Sequence, residues 1–84
     1  MEKLFKALGS NTRLEILMLI THKTMNVNEL ASHFEISKAS LSYHLNILKK
    51  GKLVYYKRID TQHLYFINRD ALTILYNWFY HLTN

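Results

Sequence analysis

The sequence predicts a mainly α-helical domain carrying one small β-hairpin, in the order helix, helix, helix, helix, hairpin, helix. Three observations predict it. Apolar residues recur at helical spacing in five separate segments. Between the fourth and fifth segments, Leu53-Val54-Tyr55-Tyr56 and Leu64-Tyr65-Phe66-Ile67 are runs of the residue types that favour strands. Proline is absent, and the two glycines, Gly9 and Gly51, both fall between periodic segments. The 84 residues allow one domain, spanning 1–84, with one modest core.

Each element follows from local chemistry. Glu2 to Leu8 forms a short helix with Leu4, Phe5 and Leu8 on one face. Ser10 caps a second helix, Asn11 to about His22. Its Leu14, Ile16, Leu17, Met18, Leu19 and Ile20 are dense enough to predict burial nearly all round. Asn26 with Glu29 resembles a capping box opening a third helix, Val27 to Phe34, with Leu30, Ala31 and Phe34 inward. Ser37 caps the fourth helix, Lys38 to Lys50. Leu41, Leu45 and Leu48 form its core face, while Lys38, Ser40, Tyr43, Asn46 and Lys50 lie opposite, flanked by Ser42 and His44. Gly51 ends it with a residue that tolerates a left-handed backbone. Leu53–Arg58 and Gln62–Ile67 are the predicted strands, joined through Ile59, Asp60 and Thr61 without an Asn-Gly or Asp-Gly signal. The last helix runs from about Arg69 to Leu82.

That last helix is too apolar for a single subunit. Its polar residues Thr73, Asn77 and His81 recur every fourth position and form one narrow stripe. Leu72, Leu75, Tyr76, Trp78, Phe79 and Leu82 spread over the rest. The sequence predicts a homodimer in which this helix packs on its own core and on a second copy, joined by Phe5 and Leu8. A ligand pocket at Trp78 and Phe79 is the competing role. A membrane-surface helix would carry lysine or arginine along its polar stripe, and this stripe has none. No signal peptide or membrane span is expected, which predicts a cytoplasmic location with no membrane partner. Cysteine is absent, so disulfides and thiolate metal sites are excluded.

Charge points to the partner. The net charge is +5, and its distribution is uneven. Lys38, Lys49, Lys50, Lys52, Lys57 and Arg58 fall in the acid-free stretch Ser37 to Ile59, while acids outnumber bases by one elsewhere. Such clustering is the footprint of a polyanion. The third and fourth helices are joined by Glu35-Ile36-Ser37, a helix-turn-helix spacing in which the second helix enters the major groove of double-stranded DNA. The predicted DNA-binding residues are Ser37, Lys38, Ser40, Ser42, Tyr43, His44 and Asn46 on helix 37–50, with Lys57, Arg58, Gln62 and His63 on the hairpin, 53–67. Tyr55, Tyr56 and Tyr65 have stacking on bases and cross-strand packing as alternatives. For Arg13 the alternatives are a phosphate and a nearby acid.

The segment Phe5-Lys6-Ala7-Leu8-Gly9-Ser10-Asn11-Thr12-Arg13-Leu14-Glu15-Ile16-Leu17 resembles the opening of ArsR/SmtB-type winged-helix transcriptional repressors. Ile36-Ser37-Lys38-Ala39-Ser40-Leu41-Ser42-Tyr43-His44-Leu45-Asn46-Ile47-Leu48 is similar to their recognition helix, and the two strand runs to their wing. The resemblance is to the metal-independent autorepressors of that family. It implies a winged helix-turn-helix, a homodimer built from the first and last helices (which adds Leu4 to the interface), and autoregulatory binding to an inverted-repeat operator. Met25 to Leu30 lacks the family's Cys-x-Cys metal motif. Of the positions matching its other zinc site, Asn68, Asp70, His81 and Asn84, two are ligand types. No metal or other cofactor is therefore expected.

No nucleophile–base–acid set, glycine-rich phosphate loop or paired carboxylates are present, so an enzyme is not expected. A winged-helix module for protein or RNA contact is the alternative to a repressor. It would carry mixed charge on helix and wing. An effector ligand or an antirepressor protein is the further partner left open.

Overall fold

The computed structural model describes residues 2–84. The elements run α1 (Glu2–Leu8), α2 (Asn11–His22), β1 (Met25–Asn26), α3 (Val27–Ser32), α4 (Lys38–Lys50), β2 (Val54–Ile59), β3 (Gln62–Ile67) and α5 (Arg69–Thr83). This is a winged helix-turn-helix arrangement, mainly helical as the sequence predicts.

Local signals start the helices where expected. The Ser10 side chain accepts from the Arg13 N–H, and that of Ser37 from the Ser40 N–H. Asn26 and Glu29 complete a reciprocal capping box, each side chain accepting from the other's backbone N–H. Asn68 caps α5 through the Asp70 N–H, and its amide nitrogen also donates to the Lys52 carbonyl at 2.7 Å. One buried side chain thus ties the start of α5 to the end of α4.

The core is one cluster. Ile16, Leu30, Leu41, Leu45, Leu48 and Leu53 are its largest fully buried side chains, and Leu4, Ala7, Tyr65, Ala71 and Leu75 close it. Burying each large aliphatic side chain stabilises by about 1.5–3 kcal/mol. The predicted core face of α4 is correct.

Several expectations need correction. α2 is not buried all round: Leu14 and Met18, one turn apart, are exposed, and Arg13 is buried. α3 stops at Ser32 rather than Phe34, because His33 and Phe34 donate to the carbonyls three residues back and tighten the chain into the turn. The hairpin belongs to a three-stranded antiparallel sheet, order β1-β3-β2, with Met25 opposite Tyr65 and Asn26 opposite Leu64. Two residues are too few to show strand periodicity, and Asn26 serves as both strand and cap. Ile59 lies in β2, leaving Asp60 and Thr61 as the connection, with Asp60 at φ 56°. Asp tolerates that left-handed conformation through its short polar side chain.

Gly51 does not take the left-handed conformation; its φ is −77°, and Lys52 adopts φ 61° instead. Lys52 N–H bonds the Lys49 carbonyl and Leu53 N–H the Leu48 carbonyl, which is a Schellman closure of α4. Glycine stands at 51 for a different reason. A Cβ there would sit 2.8 Å from the Lys3 carbonyl oxygen and 3.0 Å from the Ala7 Cβ. α1 crosses α4 at a separation only glycine permits.

The molecule is elongated, 45 × 25 × 20 Å. α5 buries Ala71 and Leu75 in its first two turns. From Tyr76 to Asn84 every side chain is exposed. No helix among the described residues is long and apolar enough to cross a membrane.

Candidate nucleic-acid interface

The face of α4 opposite its core residues is exposed. Because Leu41, Leu45 and Leu48 point inward, the helical period places Ala39, Tyr43, Asn46 and Lys50 along the opposite side, all exposed. Lys38, Ser42 and Lys49, also exposed, flank that stripe towards the hairpin. Ser40, His44 and Ile47 flank it towards α1 and are half-buried. Ala39 is an addition that the sequence did not single out, and Lys49, noted there only for its charge, joins the face. Ala39 is a small, exposed side chain near the N-terminal end of α4, so it leaves the backbone there open to close approach. The Ser37 oxygen accepts from the Ser40 N–H, which leaves its hydroxyl proton free to donate.

His44 and Arg13 have structural duties. His44 does not stand free beside Tyr43; its Nδ1 lies 3.0 Å from Nη1 of Arg13. Arg13 is 7% exposed and makes the remaining contacts with the last turn of α1, Nε donating to the Ala7 carbonyl at 2.8 Å and Nη2 to the Lys6 carbonyl at 3.1 Å. Neither alternative weighed for Arg13, phosphate or acid, describes it. It satisfies the Ala7 carbonyl where α1 ends and adds a second donor to the Lys6 carbonyl, which also accepts from the Gly9 N–H. A guanidinium can only donate, so His44 Nδ1 must accept, and the imidazole is neutral with its proton on Nε2. Burial, and then the Arg13 charge, hold the His44 pKa below the ordinary imidazole value.

The hairpin residues divide between two faces. Strand alternation and the pairing of Arg58 with His63 put both on the face shared with Tyr56 and the buried Tyr65. Lys57 and Gln62 lie on the other face. Tyr56 pairs across the strands with Tyr65, hydrogen-bonds His63, and lies under the Lys49 ammonium, 5.2 Å from the ring centroid. Tyr56 and Tyr65 are therefore packing residues that join hairpin to α4, and Lys49, Arg58 and His63 fall on one continuous side. All four predicted hairpin residues are exposed.

Electrostatically the face is unopposed. Among the described residues the one ion pair is Lys23–Glu29, at 3.2 Å and remote from α4. The lysines of α4 and the hairpin thus lack carboxylate partners. Among the described residues no group of three His, Asp or Glu side chains could hold a metal. Asp70 and His81 stand about 16 Å apart along α5, too far to ligate one ion from the same subunit. Asn68 is committed to its cap and to Lys52.

The predicted dimer residues also sort by burial. Leu4 and Leu75 are not on the surface; both are core. Phe5, Leu8 and Leu72 are partly buried against that core. Tyr76, Trp78, Phe79 and Leu82 are exposed, together with Ile74 and Tyr80, which the sequence did not single out. Phe5 packs edge-on against Trp78, and Trp78 against Phe79, each with ring centroids 5.0 Å apart. α1 and α5 present one aromatic surface.

Known proteins resemble this chain. The profile described as bacterial regulatory protein, arsR family, matches residues 10–56, which contain α2, α3, α4 and the start of the hairpin. The transcriptional repressor SdpR of Bacillus subtilis is 37% identical over 84 residues, covering 100% of this chain and 93% of that protein. The arsenical resistance operon repressor of Staphylococcus xylosus is 32% identical over 69 residues, 82% of this chain and 66% of that one. The homodimeric winged helix-turn-helix DNA-binding domain from Mycobacterium bovis superposes with a TM-score of 0.77 at 28% identity, covering 96% of this chain and 80% of that domain.

Proposed function

This chain belongs to the ArsR family of bacterial regulatory proteins, and from that premise we propose that it is a homodimeric transcriptional repressor acting on an inverted-repeat operator, its own promoter included. Residues 1–84 form a single winged-helix unit. α4 of each subunit enters the major groove, Ser37 and Lys38 meet phosphates at the entry end, and Ala39, Ser42, Tyr43 and Asn46 face base edges. Lys57, Arg58, Gln62 and His63 follow the backbone from the wing. Repression needs only occupancy of the promoter. Release comes from an effector ligand or an antirepressor protein.

The observation that carries this reading is the exposed basic face of α4 and β2, acid-free from Ser37 to Ile59, whose lysines are ion-paired with no carboxylate among the described residues. The homodimer rests on α5, whose second half exposes Tyr76, Phe79, Tyr80 and Leu82 to water. A helix with that much apolar surface needs a covering partner. The DNA-binding domain from Mycobacterium bovis, similar over nearly the whole chain, is homodimeric.

The test is binding to duplex DNA from its own promoter, followed by fluorescence anisotropy as salt is raised. Affinity should fall by about 10³ or more between 50 and 200 mM, as the counterions of several phosphates are released. A flat response overturns the repressor and leaves a module for protein contact.

A further inference from the structure

α1 and α4 enclose a second basic feature on the flank away from the hairpin. Lys3 and Lys6 of α1 and Tyr43, Asn46, Ile47 and Lys50 of α4 line a cleft of about 490 Å³. Three of the six are lysines and none is a carboxylate. Resting on the DNA-binding reading above, we propose that this cleft takes the phosphate backbone of the duplex that α4 engages, so that Lys3 and Lys6 extend the interface from the groove to α1.

The cleft is built rather than incidental. α1 is anchored to α4 at both ends. Near its start, the Lys3 carbonyl lies against Gly51 so closely that a Cβ would collide with it. At its end, Arg13 bonds the carbonyls of Lys6 and Ala7 and also touches His44 of α4. The two lysines thus ride on a helix that moves with the recognition helix. The helical period separates the sides of α1: Leu4 and Ala7 face the core, Phe5 meets Trp78 of α5, and Lys3 and Lys6 occupy the third side, exposed. An assembly through Phe5 and α5 leaves that side open.

The chemistry distinguishes a backbone from a free phosphate. A site for a small phosphorylated ligand gains specificity from the planar fork of arginine or from a helix N-terminus. No arginine lines this cleft, and α1 is too short, at seven residues, to supply a strong N-terminal dipole. Lysine is a strongly hydrated point charge on a flexible stem, suited to a diffuse polyanion. Tyr43 and Asn46 form one wall of the cleft and belong to the exposed stripe of α4. A strand bound along that stripe passes directly into it.

The experiment compares wild type, the Lys3→Gln/Lys6→Gln double variant and a Lys23→Gln control, each checked for an unchanged thermal melt. The slope of log affinity for promoter DNA against log salt is the readout. A dimer losing four phosphate contacts should show a slope shallower by roughly three to four, with Lys23→Gln matching wild type. A steep wild-type slope that the double variant retains overturns the proposal while leaving the repressor intact. A flat wild-type slope overturns both. Inorganic triphosphate that binds wild type but not the double variant, with DNA slopes unchanged, also overturns it in favour of a small-anion pocket.

Discussion

Arg13 of α2 and His44 of α4 meet with Nη1 and Nδ1 3.0 Å apart, and the same guanidinium closes the last turn of α1 through the carbonyls of Lys6 and Ala7. One buried cation therefore joins the helix that contributes to the aromatic surface, the helix beneath it and α4. No carboxylate balances it; carbonyl dipoles and a neutral imidazole do.

Removing that cation should be costly. Arg13→Ala leaves the Ala7 carbonyl and one imidazole nitrogen without their donor, while the Lys6 carbonyl keeps the Gly9 N–H. The expected loss is about 2–4 kcal/mol of unfolding free energy by chemical denaturation. Arg13→Lys should recover less than half of it, because an ammonium on a shorter reach cannot span three acceptors on two elements. Equal stability of Arg13→Ala and wild type would show that the contacts contribute nothing net.

The same pair sets a pH dependence. The His44 pKa is lowered on folding, by burial first and then by Arg13. The unfolded chain, with an ordinary histidine near pH 6.5, takes up that proton first. Stability from this site is therefore complete above about pH 6.5 and is lost as pH falls through the lower folded value. His44→Gln keeps an acceptor for Arg13 but does not titrate. Melting temperatures of wild type should decline more steeply than those of His44→Gln between pH 7.5 and 5.5. Parallel declines would remove His44 as the source.

The end of α4 yields a pair of opposite effects. Gly51→Ala pushes a methyl group against the Lys3 carbonyl and the Ala7 side chain and should cost about 1–3 kcal/mol. Lys52→Gly relieves a left-handed lysine and should stabilise by up to about 1 kcal/mol, after the added freedom of the unfolded chain is subtracted. Denaturation midpoints measure both. Glycine at 51 would be dispensable if its alanine variant melted with wild type.

Assembly can be probed on α5. Phe79→Glu places a charge in the centre of the exposed aromatic surface and should yield a monomer in sedimentation, or a chain whose melting temperature falls on dilution. Thr73→Glu, on the polar stripe, should remain dimeric. A folded Phe79→Glu dimer would place the contact surface elsewhere.

Much of this molecule is legible in its residues because the relevant free energies are local. Ser10, Asn26 and Ser37 each act on a backbone N–H three residues ahead. The Leu41-Leu45-Leu48 spacing fixes which side of α4 faces inward, and hence which side is free for a ligand. The acid-free run from Ser37 to Ile59 likewise marks a basic face. The hairpin was visible as two runs of strand-forming side chains, though β1 was not, since a two-residue strand has no period to detect.

What tertiary structure alone decided lies between residues far apart in the chain. Arg13 and His44, Gly51 and Lys3, and Lys49 and Tyr56 become neighbours only once the helices pack. Periodicity cannot tell a buried arginine that caps another helix from an exposed one that meets phosphate. Nor can it tell a glycine needed for close approach from one needed for backbone freedom. The sequence determined the helices and the hairpin, the inner face of α4 and the sign of the charge, since all of these depend on side chains within a turn or two. The packing of α1 across α4 determined which residues remain free for a partner, because burial and the competition for hydrogen bonds are properties of the whole fold.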